Sequence, residues 1–197
     1  MTPGDPSPDP VLHLLAGPNG SGKSTFVARV LEPVTHLPFV NADVIAAERW
    51  PGEEEVHAYE ASRLAAEERA RLFARHRSFI TETVFSHPSK VDLVRAATGS
   101  GYRVYLHVIL VPEEVTLGRV ADRVRRGGHT VPDDKIRERY ERLWPLVVQA
   151  RAIAGRTYFY DNSLAARPFR LIATYEHGAL VGPTSWPRWA PIALTRA

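Results

Sequence analysis

Cysteine is absent from the 197 residues and methionine occurs once. That excludes a disulfide framework and a thiolate metal site, and it leaves no sign of an oxidising compartment. No apolar run approaches the ~20 residues that cross a bilayer, so a membrane span is not expected. Charge of one sign is also scarce, because 25 Lys and Arg against 22 Asp and Glu leave only +3. Such mild basicity suits a small anionic ligand, whereas a nucleic-acid surface calls for a denser basic stripe, and nucleic acid is not an expected partner. The first ten residues hold four prolines and no basic region followed by an apolar one. They predict a disordered or extended leader over residues 1–10 and no secretion signal, which makes the cytoplasm the expected location. No grouping of His, Asp and Glu has zinc-site spacing, and His13 and His107, inside apolar runs, are read as packed or hydrogen-bonded.

What is present begins with ordinary globular proportions, 44% hydrophobic and 24% charged, at a length that suits a single domain over residues 11–197. The apolar run 11–16 leads directly into Gly17-Pro18-Asn19-Gly20-Ser21-Gly22-Lys23-Ser24-Thr25, a full G-x-x-x-x-G-K-[ST] pattern with a helical stretch, 24–31, behind it. Glycines lacking a Cβ let the backbone curl so that successive N–H groups face an anion, and the helix adds its positive end. In that arrangement Lys23 reaches the β- and γ-phosphates and the Ser24 hydroxyl is placed to ligate Mg²⁺. ATP and Mg²⁺ are therefore the expected cofactors.

Further along, strand and helix alternate, which predicts an α/β fold: a mainly parallel sheet of about five strands with helices on both faces. The first helix is expected to stop at Pro33, a second strand to run over 37–41, and a long amphipathic helix over 53–77. Strands follow at 78–83, 102–110 and 157–160, with helices at 88–97, 112–126 and 132–154. Ser86 or His87 is the expected cap of the 88–97 helix. Residues 169–175 and 179–181, around His177-Gly178, have the pattern of an antiparallel hairpin at the sheet edge. Residues 186–197 have no legible pattern.

In open α/β sheets ligands sit beyond the carboxyl ends of the strands. The polar residues there are the phosphate loop, Asp43, Glu82 with Thr83, and Asn162. Asp43 has the chemistry to take a proton from an acceptor hydroxyl, or simply to cap the helix that follows. Glu82 and Thr83 are candidates for contacting the acceptor, and Asn162 for the nucleotide. Arg119, Arg123 and Arg126, at i, i+4 and i+7, share one side of a helix ending at Gly127-Gly128. With His129 and Thr130 they predict a lid, about 119–132, that closes positive charge over a γ-phosphate. A solvated basic face is the plain alternative. Three function classes stay open on these residues: a kinase for a hydroxyl acceptor, a nucleotide-switched regulatory ATPase, and a nucleic-acid-stimulated ATPase.

Four pieces in this order, Leu14-Leu15-Ala16 with the phosphate loop, Val40-Asn41-Ala42-Asp43, Glu82-Thr83-Val84-Phe85-Ser86 and Arg126-Gly127-Gly128-His129-Thr130-Val131-Pro132, resemble the zeta-toxin family of P-loop kinases. The resemblance implies a three-layer P-loop kinase fold and ATP-dependent phosphorylation of a sugar hydroxyl, in UDP-N-acetylglucosamine or a related nucleotide sugar. By the same resemblance Asp43 is the general base, Glu82 the sugar-contacting acid and Arg119 a phosphate-binding arginine, with Arg123, Arg126 or His129 as the second. An antitoxin protein is the implied partner. The alternative acceptors are another sugar, an antibiotic or a polynucleotide 5′-end.

Overall fold

The run Val11–Ala16 forms strand β1, and its side chains divide between two cores. Leu12, Leu14 and Ala16 enter the larger one and Leu15 the smaller, the alternation that a pleated strand imposes. A strand covered on both faces needs apolar residues nearly throughout, as β1 has. The computed structural model describes residues 9–125 and 132–196. Seven strands form one sheet in the order β2-β3-β1-β4-β5-β6-β7, rather than the five expected. Five of them are parallel: β1, β2 (Phe39–Val40), β3 (Phe79–Thr83), β4 (Arg103–Leu110) and β5 (Arg156–Asp161). The expected hairpin supplies the other two, β6 (Arg170–Glu176) and β7 (Ala179–Val181), antiparallel to β5 and to each other. Its two-residue turn, His177-Gly178, has φ 47° and 79°, the pair of positive values that matches strand twist in a tight hairpin.

The helix behind the phosphate loop does not stop at Pro33. It runs as α1 (Lys23–Phe26), a π-helical turn (Val27–Leu31) and α2 (Glu32–Thr35), and His36 ends it at φ 53°. Pro33 falls in the first turn of α2, where a missing N–H is tolerated, and the wide turn before it resets the hydrogen-bond register. The remaining helices are α3 (Ala42–Arg49), α4 (Ala58–Ala74), α5 (Ser89–Gly99), α6 (Glu113–Arg125), α7 (Asp133–Ile153) and α8 (Ile192–Thr195). The long amphipathic helix is thus shorter than the 53–77 expected, since residues 54–57 form a turn. Neither Ser86 nor His87 is the N-cap of α5; Pro88 holds that position, while His87 Nδ1 accepts from the Ser89 N–H at 3.2 Å. The final segment, without a sequence pattern, closes the larger core: Leu194 is fully buried there and Trp186 meets Phe159 with ring centres 5.1 Å apart. Among the described residues no helix is long and apolar enough to cross a membrane.

On the smaller core, His13 and His107 do pack and hydrogen-bond, Nδ1 to Nε2 at 3.0 Å, and the His107 ring stacks against those of Tyr158 and Tyr160. Burial lowers His13 to about 4. Burial, then the neighbouring His13, lowers His107 to about 3.

Candidate functional site

Parallel register brings the strand ends level: Leu15 lies opposite Glu82, Ala16 opposite Thr83 and Val40 opposite Thr81. The Thr81 hydroxyl donates to the Val40 carbonyl at 2.8 Å and so fixes where β2 releases the chain into Asn41 and Asp43. Asn41, not Asp43, caps α3: its Oδ1 accepts from the Asp43 and Val44 N–H groups at 2.6 and 3.2 Å. That leaves the Asp43 carboxylate exposed in the first turn, available for other chemistry.

The phosphate loop takes the shape its glycines allow. Gly22 has φ 93°, and a Cβ there would meet the Asn162 Nδ2 at 2.6 Å; at Gly17 a Cβ would meet the Ile109 carbonyl oxygen at 2.5 Å. Lys23, largely buried, donates to the Gly17 and Pro18 carbonyls at 3.0 Å each, so its ammonium is held across the mouth of the loop. Asn162, the expected nucleotide contact, is buried and braces the loop. Its Nδ2 donates to the Ser21 carbonyl at 2.8 Å, and its Oδ1 accepts from the Phe169 N–H at 3.4 Å. Beside it, burial works to raise the Asp161 carboxyl, but hydrogen bonds from Ser163 and Arg170 outweigh this and hold it below its ordinary value. Arg119 reaches the same brace from α6, donating to the Gly20 carbonyl at 3.1 Å and the Asn162 carbonyl at 2.9 Å. Its guanidinium therefore clips α6 to the loop and to the end of β5. Arg126, His129 and Thr130 lie outside the described residues, as does the Arg123 side chain.

On the other side of β1 the Ser24 hydroxyl donates to Glu82 Oε2 at 3.0 Å. Sequence reasoning assigned these two to different partners; the fold joins them. A hydroxyl and a carboxylate side by side at the mouth of an anion cradle suit Mg²⁺, which takes one or two protein oxygens and completes its shell with phosphate oxygens and water. Among the described residues no group of three or more His, Cys, Asp or Glu is placed to cage a metal.

A cleft of about 1010 Å³ opens here, at the upper end of the range for ligand pockets. Asn19, Lys23 and Ser24 line it together with Asp43, Glu82 and Thr83, so residues from three strand ends share one space. Three cations also line it that the sequence did not single out: Arg69 from α4, Lys90 from α5 and Arg139 from α7. Burial lowers the Arg69 guanidinium from its ordinary value, and burial followed by the charge of Arg69 does the same to Lys90. The two charges thus bear on one another within the one cleft they line.

Phosphate loop, sheet order and flanking helices together define a protein with the fold of the P-loop kinases. The sequence profile of the AAA domain family matches residues 12–146, and the chain belongs to that family. An uncharacterized protein of Haemophilus influenzae is 30% identical over 125 residues, 63% of this chain and 88% of its own length. Among solved structures, a chain of the AvrRxo1-ORF1:AvrRxo1-ORF2 complex with sulphate ions is similar at TM-score 0.69 and 17% identity, covering 88% of this chain. The present chain spans 60% of that protein's length. A candidate kinase from Chloroflexus aurantiacus gives TM-score 0.62 at 16% identity, over 81% of this chain and 91% of that one. The PezAT chromosomal toxin-antitoxin system of Streptococcus pneumoniae gives 0.59 at 15% identity, over 81% and 71%. At these identities the likeness is one of fold.

Proposed function

We propose that the chain is an ATP-dependent kinase that transfers the γ-phosphoryl group to a hydroxyl of a small molecule. The observation that carries this reading is one cleft that Lys23 and Ser24 line together with Asp43 and Glu82. A triphosphate in the glycine cradle presents its γ-phosphorus to that space, and an alcohol beside Asp43 has both an electrophile and a base within reach. The hydroxyl oxygen bonds to the γ-phosphorus, the bond to the β–γ bridging oxygen breaks, and the hydroxyl proton passes to Asp43; ADP and a phosphate ester leave. Lys23 offsets charge on the phosphates, with Arg119, Arg123 and Arg126 as the proposed lid. Magnesium would be held by Ser24 with Glu82 alongside, and the chemistry it supplies when bound is neutralisation of the β- and γ-phosphate oxygens. Glu82 and Thr83 are the proposed contacts to the acceptor.

UDP-N-acetylglucosamine or a related nucleotide sugar is the acceptor we propose on the resemblance to zeta toxins, with the cytoplasm as the setting and an antitoxin as partner. The fold shared with a component of PezAT supports the antitoxin proposal. Incubation of the protein with ATP, Mg²⁺ and a panel of UDP-sugars, followed by ³¹P NMR, tests the reading. A new phosphomonoester resonance with stoichiometric ADP is the expected result. ATP binding without turnover above background on any acceptor would overturn the kinase reading in favour of a nucleotide-switched module.

A further inference from the structure

Lys and Arg side chains on α4, α5 and α7 fall into two sets. Those turned away from the cleft are engaged: Arg63 with Glu67, Arg71 with Glu68, Arg95 with Asp92, Lys135 and Arg142 with Glu138, and Arg137 with Glu113. Arg151, deeper in α7, lies over the Tyr175 ring at 4.1 Å. The three that line the cleft, Arg69, Lys90 and Arg139, have no carboxylate within ion-pair distance among the described residues, Asp43 and Glu82 included. All three are half-buried. A stripe of α4, Ser62, Ala65 and Arg69 at i, i+3 and i+7, faces the cleft, so the position of Arg69 is imposed by the helix and not by side-chain wandering.

Gathering cations in a partly desolvated space without counter-ions is unfavourable unless an anion completes the site. The phosphate loop has its own cation in Lys23. The three lie elsewhere: α4 packs on α3 and β2, the side of the sheet that carries Asp43, while Arg119 and Asn162 brace the opposite side. We propose that Arg69, Lys90 and Arg139 form an anion subsite for the acceptor, so that the alcohol phosphorylated here carries a phosphate, diphosphate or carboxylate group of its own. Three donors from three helices would hold that group while its hydroxyl rests against Asp43. The meaning of the subsite rests on the kinase reading; its existence does not.

Calorimetry on the full chain, saturated with AMP-PNP and Mg²⁺ so that the phosphate loop is occupied, tests the proposal with inorganic pyrophosphate and, in parallel, malonate. At least one of the two binds the loaded protein, and the tighter one identifies the acceptor group as phosphate or carboxylate. Arg69→Ala and Lys90→Ala each weaken that binding about tenfold or more, as loss of a charged hydrogen bond does. Lys90→Arg keeps the charge and binds within about threefold of wild type, and AMP-PNP affinity stays within about twofold throughout, which separates a lost subsite from a damaged fold. Failure of both anions to bind the loaded protein, or equal binding by the alanine variants, overturns the subsite. Neither result depends on turnover, so a missing kinase activity and a missing subsite are read separately. If AMP-PNP itself does not bind, the nucleotide reading falls, and the subsite stands only if pyrophosphate titrated alone loses affinity in the two alanine variants.

Discussion

Asp43 owes its availability to Asn41. Because the asparagine takes the capping bonds, the aspartate is spared the role its position would otherwise impose, and its carboxylate stays free to accept a proton. On the proposed kinase reading Asp43→Asn keeps the shape and removes the proposed base: kcat should fall by about 10²–10⁴ while ATP affinity, measured by calorimetry, changes by less than about twofold. A second residue-scale consequence concerns the histidine pair, whose neutral forms are favoured by burial. Its folded-state values, about 4 for His13 and about 3 for His107, lie below the ordinary 6.5. Below pH 6.5 the unfolded chain binds protons that the folded chain refuses, so stability is fully present above 6.5 and drains away as pH falls toward 4 and 3. Thermal unfolding at pH 7.5 and pH 5 should show the loss, and His13→Gln should shrink the difference between the two.

At the level of elements, Asn162 ties the end of β5 to the phosphate loop across 141 positions of sequence. Asn162→Ala should cost about 1–2 kcal/mol in urea unfolding, since it leaves the Ser21 carbonyl without that donor, and should weaken ATP binding because the loop loses its brace. The sheet and the phosphate loop were legible because both rest on local signals, apolar runs bounded by turns and glycines at fixed spacing. Asp43 and Glu82 were legible for a related reason, as polar residues just past apolar runs. The continuation of the first helix through Pro33 was not, because a π-helical turn leaves no periodic trace and Pro normally marks a stop. Arg69, Lys90 and Arg139 escaped notice among many arginines on polar helices. Only the packing of α4, α5 and α7 shows which of them turn inward. The Ser24–Glu82 contact spans 58 positions and joins segments that the sequence pattern treats separately.

For the molecule as a whole, the last residues behave as part of the core rather than as an appendage. Leu194 is wholly enclosed, and α8 packs on α7, which itself lies against α5 and β4. Leu194→Ala should cost about 2–5 kcal/mol in chemical denaturation, the range for a buried leucine, although the residue does not line the cleft. A different consequence follows from the central place of β1. Its loop is shaped by Ile109, Asn162 and Arg119, and its neighbours on either side, β3 and β4, deliver Glu82 and Ile109. A fragment that carries the loop without β4, Arg119 and Asn162 lacks the contacts that shape it, because the receptor is assembled from distant segments. Ligand occupancy therefore reports cooperatively on the assembled sheet, and a mutation at a remote edge can silence binding with every contacting residue intact.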